Sequence, residues 1–266
     1  MIKLGVNTVL FKNFSLDEAA CAIKKAGYDG MEISALAGMA EHLAPDSWRE
    51  QVKSIKETVA KYELPLLSTE AASLDEERLA KVFEACEEIG IPIVNVGPGG
   101  TADDDETLKK SIETLAKLSE KAKIHGVTLC CKAHVGAAVY NTPTTLALIN
   151  AISSSSFGVD MDPSHIYRAG ENPVEALPQV ISRVKHIHIR DCKGTGPSPG
   201  EPSLQACGRG DIDLYGYFKA MTDAGYDGPV CLEIIGPELE MTEASIIAAE
   251  SYGYMNACLK HLGARK

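Results

Sequence analysis

The chain has 266 residues, of which 45% are hydrophobic, and a formal net charge of −11. That length can bury one large core or two small ones. The acidic surplus argues against a nucleic-acid backbone or an anionic membrane as partner. No apolar run reaches 18 residues, and Ile2-Lys3-Leu4-Gly5-Val6 reads as a strand, not a secretory signal. Eight cysteines without Cys-x-x-Cys spacing read as reduced thiols of a cytoplasmic protein, and Cys192 with Cys207 alone lacks a four-ligand zinc pattern.

Short apolar runs at 2–7, 30–34, 64–68, 91–96, 127–133, 157–161, 184–190 and 230–235 predict strands. Amphipathic segments at 16–26, 47–62, 76–89, 107–125, 144–152, 173–180, 214–224 and 242–262 predict helices between and after them; in the fourth, Leu108, Ile112, Leu115, Leu118 and Ala122 recur on one face. Eight strands alternating with eight helices imply parallel pairing through crossovers and a (β/α)8 TIM barrel, read as one domain over residues 1–266. An open doubly wound sheet is the weaker alternative, because no Gly-x-Gly-x-x-Gly follows the first strand. Ala-Gly-Tyr-Asp-Gly occurs at 26–30 and again at 224–228, each time where a helix should end in glycine and turn into a strand. The Gly- and Pro-rich stretch 192–210 is expected to be a long loop over the barrel mouth, acting as a lid.

The chemistry-bearing residues gather at the ends of the last strands. Asp162-Pro163-Ser164-His165 follows the run at 157–161, His188-Ile189-Arg190-Asp191 ends the next, and Glu233 lies in the last. Carboxylates and an imidazole meeting at a barrel mouth suit a divalent metal and proton transfer. In the run at 127–133, Lys132 stands where such a site would want another carboxylate. Glu70 and His42 read more readily as rim residues, with substrate contact as the functional alternative. Glu32 reads as buried in the barrel, Asp191 as a loop organiser, Asp213 as a helix cap and Trp48 as packing; Asn95 and Gly97 mark a place where a ligand can approach backbone.

These segments, with His186-Ile187-His188, Gly208-Arg209-Gly210-Asp211-Ile212-Asp213 and Gly225-Tyr226-Asp227-Gly228, resemble the xylose-isomerase-like sugar phosphate isomerase/epimerase superfamily of TIM barrels, the AP endonuclease family 2 type. The resemblance runs over essentially the whole chain and is strongest from 126 to 236. It implies metal ligands at Asp162, His188 and Glu233, a substrate-facing histidine at His165, and a cation at Arg190 where the superfamily usually has lysine. It also implies a fourth ligand, a glutamate, at the position held here by Lys132, in a pattern that reads Lys132-Ala133-His134. The activity implied is that of an isomerase or epimerase, with a lyase or dehydratase as variants, acting on a small sugar or polyol by proton abstraction beside a carbonyl. Catalytic roles fall on Glu233, Lys132 and His165, and substrate contacts on His134, Arg190 and Glu70.

Lys132 leaves two arrangements open. It can swing aside while His134 completes a two-carboxylate, two-imidazole shell suited to Mn²⁺, Fe²⁺, Co²⁺ or Zn²⁺, or its ammonium can replace the ion; the cofactor expected is a divalent metal, Mn²⁺, Co²⁺, Zn²⁺ or Mg²⁺. A Schiff base at Lys132 needs a neutral amine, which nearby carboxylates oppose. With one glutamate base missing, one-base isomerisation or elimination is easier to write than two-base epimerisation. A non-catalytic carbohydrate-binding barrel is the reading from another class. The expected partner is a small-molecule sugar or polyol, with no nucleic acid and no membrane; a homo-oligomer is compatible with this reading.

Overall fold

The computed structural model describes residues 1–265. Its strands are β1 (Lys3–Asn7), β2 (Gly30–Leu36), β3 (Ala40–Glu41), β4 (Leu66–Ala72), β5 (Ile93–Val96), β6 (Thr128–Lys132), β7 (Phe157–Met161), β8 (Val184–Ile189) and β9 (Pro229–Leu232). All except β3 run parallel in one closed barrel, because β1 pairs with β9 on one side and β2 on the other. β3 only folds back, antiparallel, on the end of β2. The barrel expected from the alternation is the one observed.

The eight expected helices appear as α1 (Leu16–Ala26), α2 (Trp48–Tyr62), α3 (Glu76–Ile89), α4 (Asp105–Ile124), α5 (Thr142–Ala151), α7 (Pro173–Val180), α9 (Leu214–Asp223) and α10 (Met241–His261). Two short helices were not expected: α6 (Pro163–Arg168), directly after β7, and α8 (Pro202–Gln205), inside the loop after β8. The sequence fixes the helix ends locally. Ser15 and Glu18 form a reciprocal capping box on α1. Gly27 ends α1 at φ 103°, and Gly225 takes φ 69° just past α9, so both copies of the repeated pentapeptide use glycine to turn. No helix among the described residues is long and apolar enough to cross a membrane.

Alternation along the strands sorts two layers. Val94, Leu129, Cys131, Val159, Met161, Ile187 and Val230 pack in the apolar layer under the helices. The residues between them turn into the barrel, and there the filling is polar: Asn7, Glu32, Glu70, Asn95, Lys132, Asp160, His186 and His188 are all buried. Barrels of this kind usually fill with branched apolar side chains. A charged interior must therefore be satisfied residue by residue.

Candidate active site

The deepest layer is a chain of ion pairs. Asp160 Oδ1 accepts from His186 Nδ1 at 3.0 Å and from the His188 backbone N–H at 2.9 Å. Its Oδ2 meets His188 Nδ1 at 2.5 Å, and His188 Nε2 meets Glu32 Oε2 at 2.5 Å. Asn95 donates to Glu32 Oε1 at 2.6 Å, and Asn7 Nδ2 bridges Glu32 Oε2 at 3.0 Å and Glu70 Oε2 at 2.7 Å. Burial alone would discharge His188, but Asp160 and Glu32 on either side hold its pKa well above the ordinary histidine value. It is an imidazolium clamped between two carboxylates.

One layer higher lies the floor of the mouth. Lys132 Nζ donates to Glu70 Oε1 at 2.6 Å and to Glu233 Oε1 at 2.9 Å, with all three side chains buried. The Arg190 guanidinium sits 2.8 Å from Asp162 Oδ2 and 3.3 Å from Glu233 Oε2, while its Nε donates to Ser164 Oγ at 2.8 Å. Burial works against the Lys132 charge, yet Glu233 and Glu70 raise its pKa above the ordinary lysine value. Burial also opposes ionisation of Glu233, but Lys132 and Arg190 hold its carboxyl well below the usual range. Glu70 goes the other way: burial and the neighbouring Glu233 push it up to about 8 against the pull of Lys132. The two glutamates on one ammonium thus differ in proton affinity.

Asp162 caps α6, accepting from Ser164 N–H at 2.8 Å. His165, on the first turn of α6, lies between Arg190 Nη2 at 2.8 Å and Arg168 Nη2 at 2.9 Å. Burial and Arg190 hold it neutral, with a pKa well below the ordinary value. His134 lies past the end of β6, exposed, its ring centroid 4.0 Å from that of His165.

Above this floor opens a cavity of about 300 Å³. Glu70, Lys132, Arg190, Glu233, His134 and His165 all line it. The facing wall is apolar, from Leu36, Met39, Pro98, Ala137 and Ile235. All six residues expected to act on or hold a substrate therefore share one cleft. Glu70 is not the solvated rim residue that its position suggested; it is buried inside β4. His42 lies outside the cleft, tied to Thr8 Oγ1 and the Phe14 carbonyl.

The long loop also departs from expectation. It adds nothing to the cavity lining. It is pinned beside the mouth: Arg168 donates to the Pro197 carbonyl at 2.7 Å, and Gln205 to the Ile235 carbonyl at 2.6 Å. Asp191 organises its base, accepting from the N–H groups of Cys192, Gly208 and Ile212. The apolar wall of the cleft comes instead from the β2–β3 turn and the segment after β5.

Asp162, His188 and Glu233, the three ligands implied by resemblance, do not present their donor atoms to one point among the described residues. Asp162 and Glu233 face the Arg190 guanidinium, Glu233 also faces Lys132, and both ring nitrogens of His188 are turned to Asp160 and Glu32. A divalent ion placed among them would meet two buried cations, so the mouth does not fit one. Deeper in the barrel, Glu32–Glu70–His188, Asp160–His186–His188 and Glu32–His186–Cys231 have donors near enough to share an ion. In the first two groups the facing donor atoms of His188 and Glu32, and of His188 and Asp160, stand 2.5 Å apart. Two atoms bound at about 2 Å to one tetrahedral ion stand about 3.3 Å apart.

Residues 21–256 match the xylose isomerase-like TIM barrel family, and the chain belongs to it. The inosose dehydratase of Clostridium perfringens is 27% identical over 150 residues, 49% of this chain and 48% of that protein. The match thus spans about half the length of the Clostridium dehydratases. The inosose isomerase of Bacillus velezensis is 25% identical over 246 residues, covering 85% of this chain and 86% of its own. A solved structure of the IolI protein with a zinc atom superposes with a TM-score of 0.77 over 97% of this chain and 98% of that one, at 23% identity.

Proposed function

We propose that the chain is an enzyme that moves a proton on the carbon beside a ketone in a small sugar or polyol: an isomerase or epimerase, with dehydration as the close variant. The observation that carries this is the floor of the cleft, where Glu233 stands beside two buried cations, Lys132 and Arg190, that hold its carboxyl well below the usual range, and beside a second carboxyl, Glu70, that burial and Glu233 push up to about 8. The inosose isomerase and inosose dehydratases among its relatives bear activities that such a floor can perform.

A ketone lying on the floor would direct its oxygen at the ammonium of Lys132 and the guanidinium of Arg190. Their charge favours the enediolate that forms when the neighbouring C–H bond breaks. Glu233 takes that proton, and the C–H electron pair becomes the enediol double bond. A proton returned to the former carbonyl carbon completes isomerisation. Returned instead to the carbon that lost it, but on the opposite face, it restores the ketone and completes epimerisation. If a β-hydroxyl leaves as water instead, with a proton from Glu70, the product is a dehydrated ketone. The apolar wall of Leu36, Met39 and Ile235 suits the C–H faces of the substrate and keeps water from the enediolate.

The test is wash-in of solvent deuterium at the carbon beside the ketone of inososes and ketohexoses, followed by NMR. Exchange is expected with wild type and should fall by about 10²–10⁴ in Glu233→Gln. Wild-type protein that binds these ketones without exchange, isomerisation or water loss would favour a carbohydrate-binding barrel.

A further inference from the structure

We propose that Lys132 and Arg190 together stand in for the divalent ion of this barrel, so that the site works with two fixed side-chain charges and no metal. The inference rests on the enolising reading only for what those charges act on. The replacement itself is geometric.

Three carboxyl groups, those of Glu70, Asp162 and Glu233, meet at the floor, and each has a protein cation against it. Lys132 bridges Glu70 and Glu233, and Arg190 bridges Asp162 and Glu233. Two monovalent cations supply the charge of one divalent ion, distributed over the same oxygens. The remaining ligand that the family resemblance assigns, His188, is drawn one layer down between Asp160 and Glu32. The site is a rewired set in which every expected ligand has another partner.

The rewiring leaves hydrogen-bonding capacity aimed at a ligand. An ammonium has three N–H groups, and Lys132 uses two on the glutamates. Arg190 Nη1 and Glu233 Oε2 face each other at 3.3 Å as a buried ion pair with no hydrogen bond to either atom, and both residues line the cavity. One free Lys132 N–H and Arg190 Nη1 are donors for a developing oxyanion, and Glu233 Oε2 is an acceptor for the departing proton. An ion would provide the first function by coordination; here two donors, one at the end of β6 and one just past β8, provide it by hydrogen bonding.

The experiment is metal analysis of the full chain as purified, titration calorimetry with Mn²⁺ and Zn²⁺, and thermal melting with and without EDTA. Expected are less than about one ion per ten chains, no saturable site, and a melting temperature indifferent to EDTA. A stoichiometric ion whose removal lowers the melting temperature overturns the inference. Lys132→Glu should create the missing ligand: Mn²⁺ should bind at least 100-fold tighter than to wild type and raise the melting temperature of the variant. A folded Lys132→Glu protein with no gain in Mn²⁺ affinity also overturns it. Should that variant fail to fold even with Mn²⁺, Lys132→Gln carries the test: melting below wild type and restoration by Mn²⁺ support the replacement, and no restoration counts against it. Deuterium exchange in EDTA separates the two proposals. Exchange that persists supports both, exchange lost on chelation overturns the replacement, and absence of exchange with the metal results as expected defeats only the enzyme reading.

Discussion

Removing the ammonium from the floor should expose how much of the barrel's stability depends on it. In Lys132→Met, Glu70 and Glu233 lose the one cation they share, whose nitrogen lies 2.6 and 2.9 Å from their oxygens. Those oxygens can be no more than about 5.5 Å apart, and two like charges about 5 Å apart cost about 3 kcal/mol at an effective dielectric of 20. Breaking a buried ion pair by deleting one partner costs about 3–5 kcal/mol in general. A loss of about 3–5 kcal/mol at pH 9 is therefore expected, read as a lower urea midpoint with an unchanged slope. The loss should shrink toward pH 5, and the sign follows from Glu70. Its folded pKa of about 8 lies above its ordinary value of 4.5, so this group contributes most stability below pH 4.5 and loses it as pH rises through 8. As pH falls the Glu70 carboxyl takes up its proton, which relieves the repulsion in acid. Adding Glu70→Gln to Lys132→Met should recover more than half of the loss at pH 9, because it deletes one of the two facing charges. A single variant within about 1 kcal/mol of wild type at pH 9, or strictly additive costs in the double, would refute the idea that Lys132 holds these glutamates apart.

Asp191→Ala removes the acceptor for three backbone N–H groups at the base of the 192–210 loop. It should cost about 3 kcal/mol and raise amide exchange across the loop, while leaving exchange in β6 and β7 unchanged. A loop as protected as in wild type would mean that its side-chain pins at Arg168 and Gln205 suffice. At pH 8, one thiol of eight should react quickly with Ellman's reagent. Cys21 is half-buried, whereas the other seven are buried and burial pushes Cys192, for example, up to about 11. Two or more fast thiols in the native protein would contradict this packing.

The fold was legible because each unit declares itself twice, in an apolar run and in a helical face. Its errors lie where the barrel interior is polar. The run read at 64–68 is a strand over Leu66–Ala72, because Ser68 and Glu70 turn inward and interrupt the apolar stretch while the backbone continues. The run read at 230–235 is too long for the opposite reason. Ile234 and Ile235 are apolar, yet the ladder ends at Leu232, and Ile235 turns to wall the cleft. Hydrophobicity follows burial, and in a barrel with a charged lumen burial and apolarity separate.

The site was legible at its rim and hidden one layer down. Lys132, Arg190 and Glu233 close or follow their strands, where barrel chemistry is expected, and a lysine among carboxylates is a visible anomaly. Asp160 and Asn7 gave a weaker signal: a polar residue at every second position of an apolar run, as in Asp160 with Asp162 and His186 with His188. Such spacing says that both members face inward. It does not say which meets the mouth, because that depends on the stagger between neighbouring strands. Between β7 and β8 the stagger slips: Val159 pairs with Val184, but Asp160 pairs with His186, so β8 advances two residues for one of β7. The slip brings Asp160 within reach of both His186 and the His188 backbone N–H, and the same carboxylate then takes the His188 ring. A histidine fixed in this way cannot also serve the mouth. The cationic residue that replaces an ion is written at position 132, whereas the irregularity that turns His188 away exists only once two strands have met.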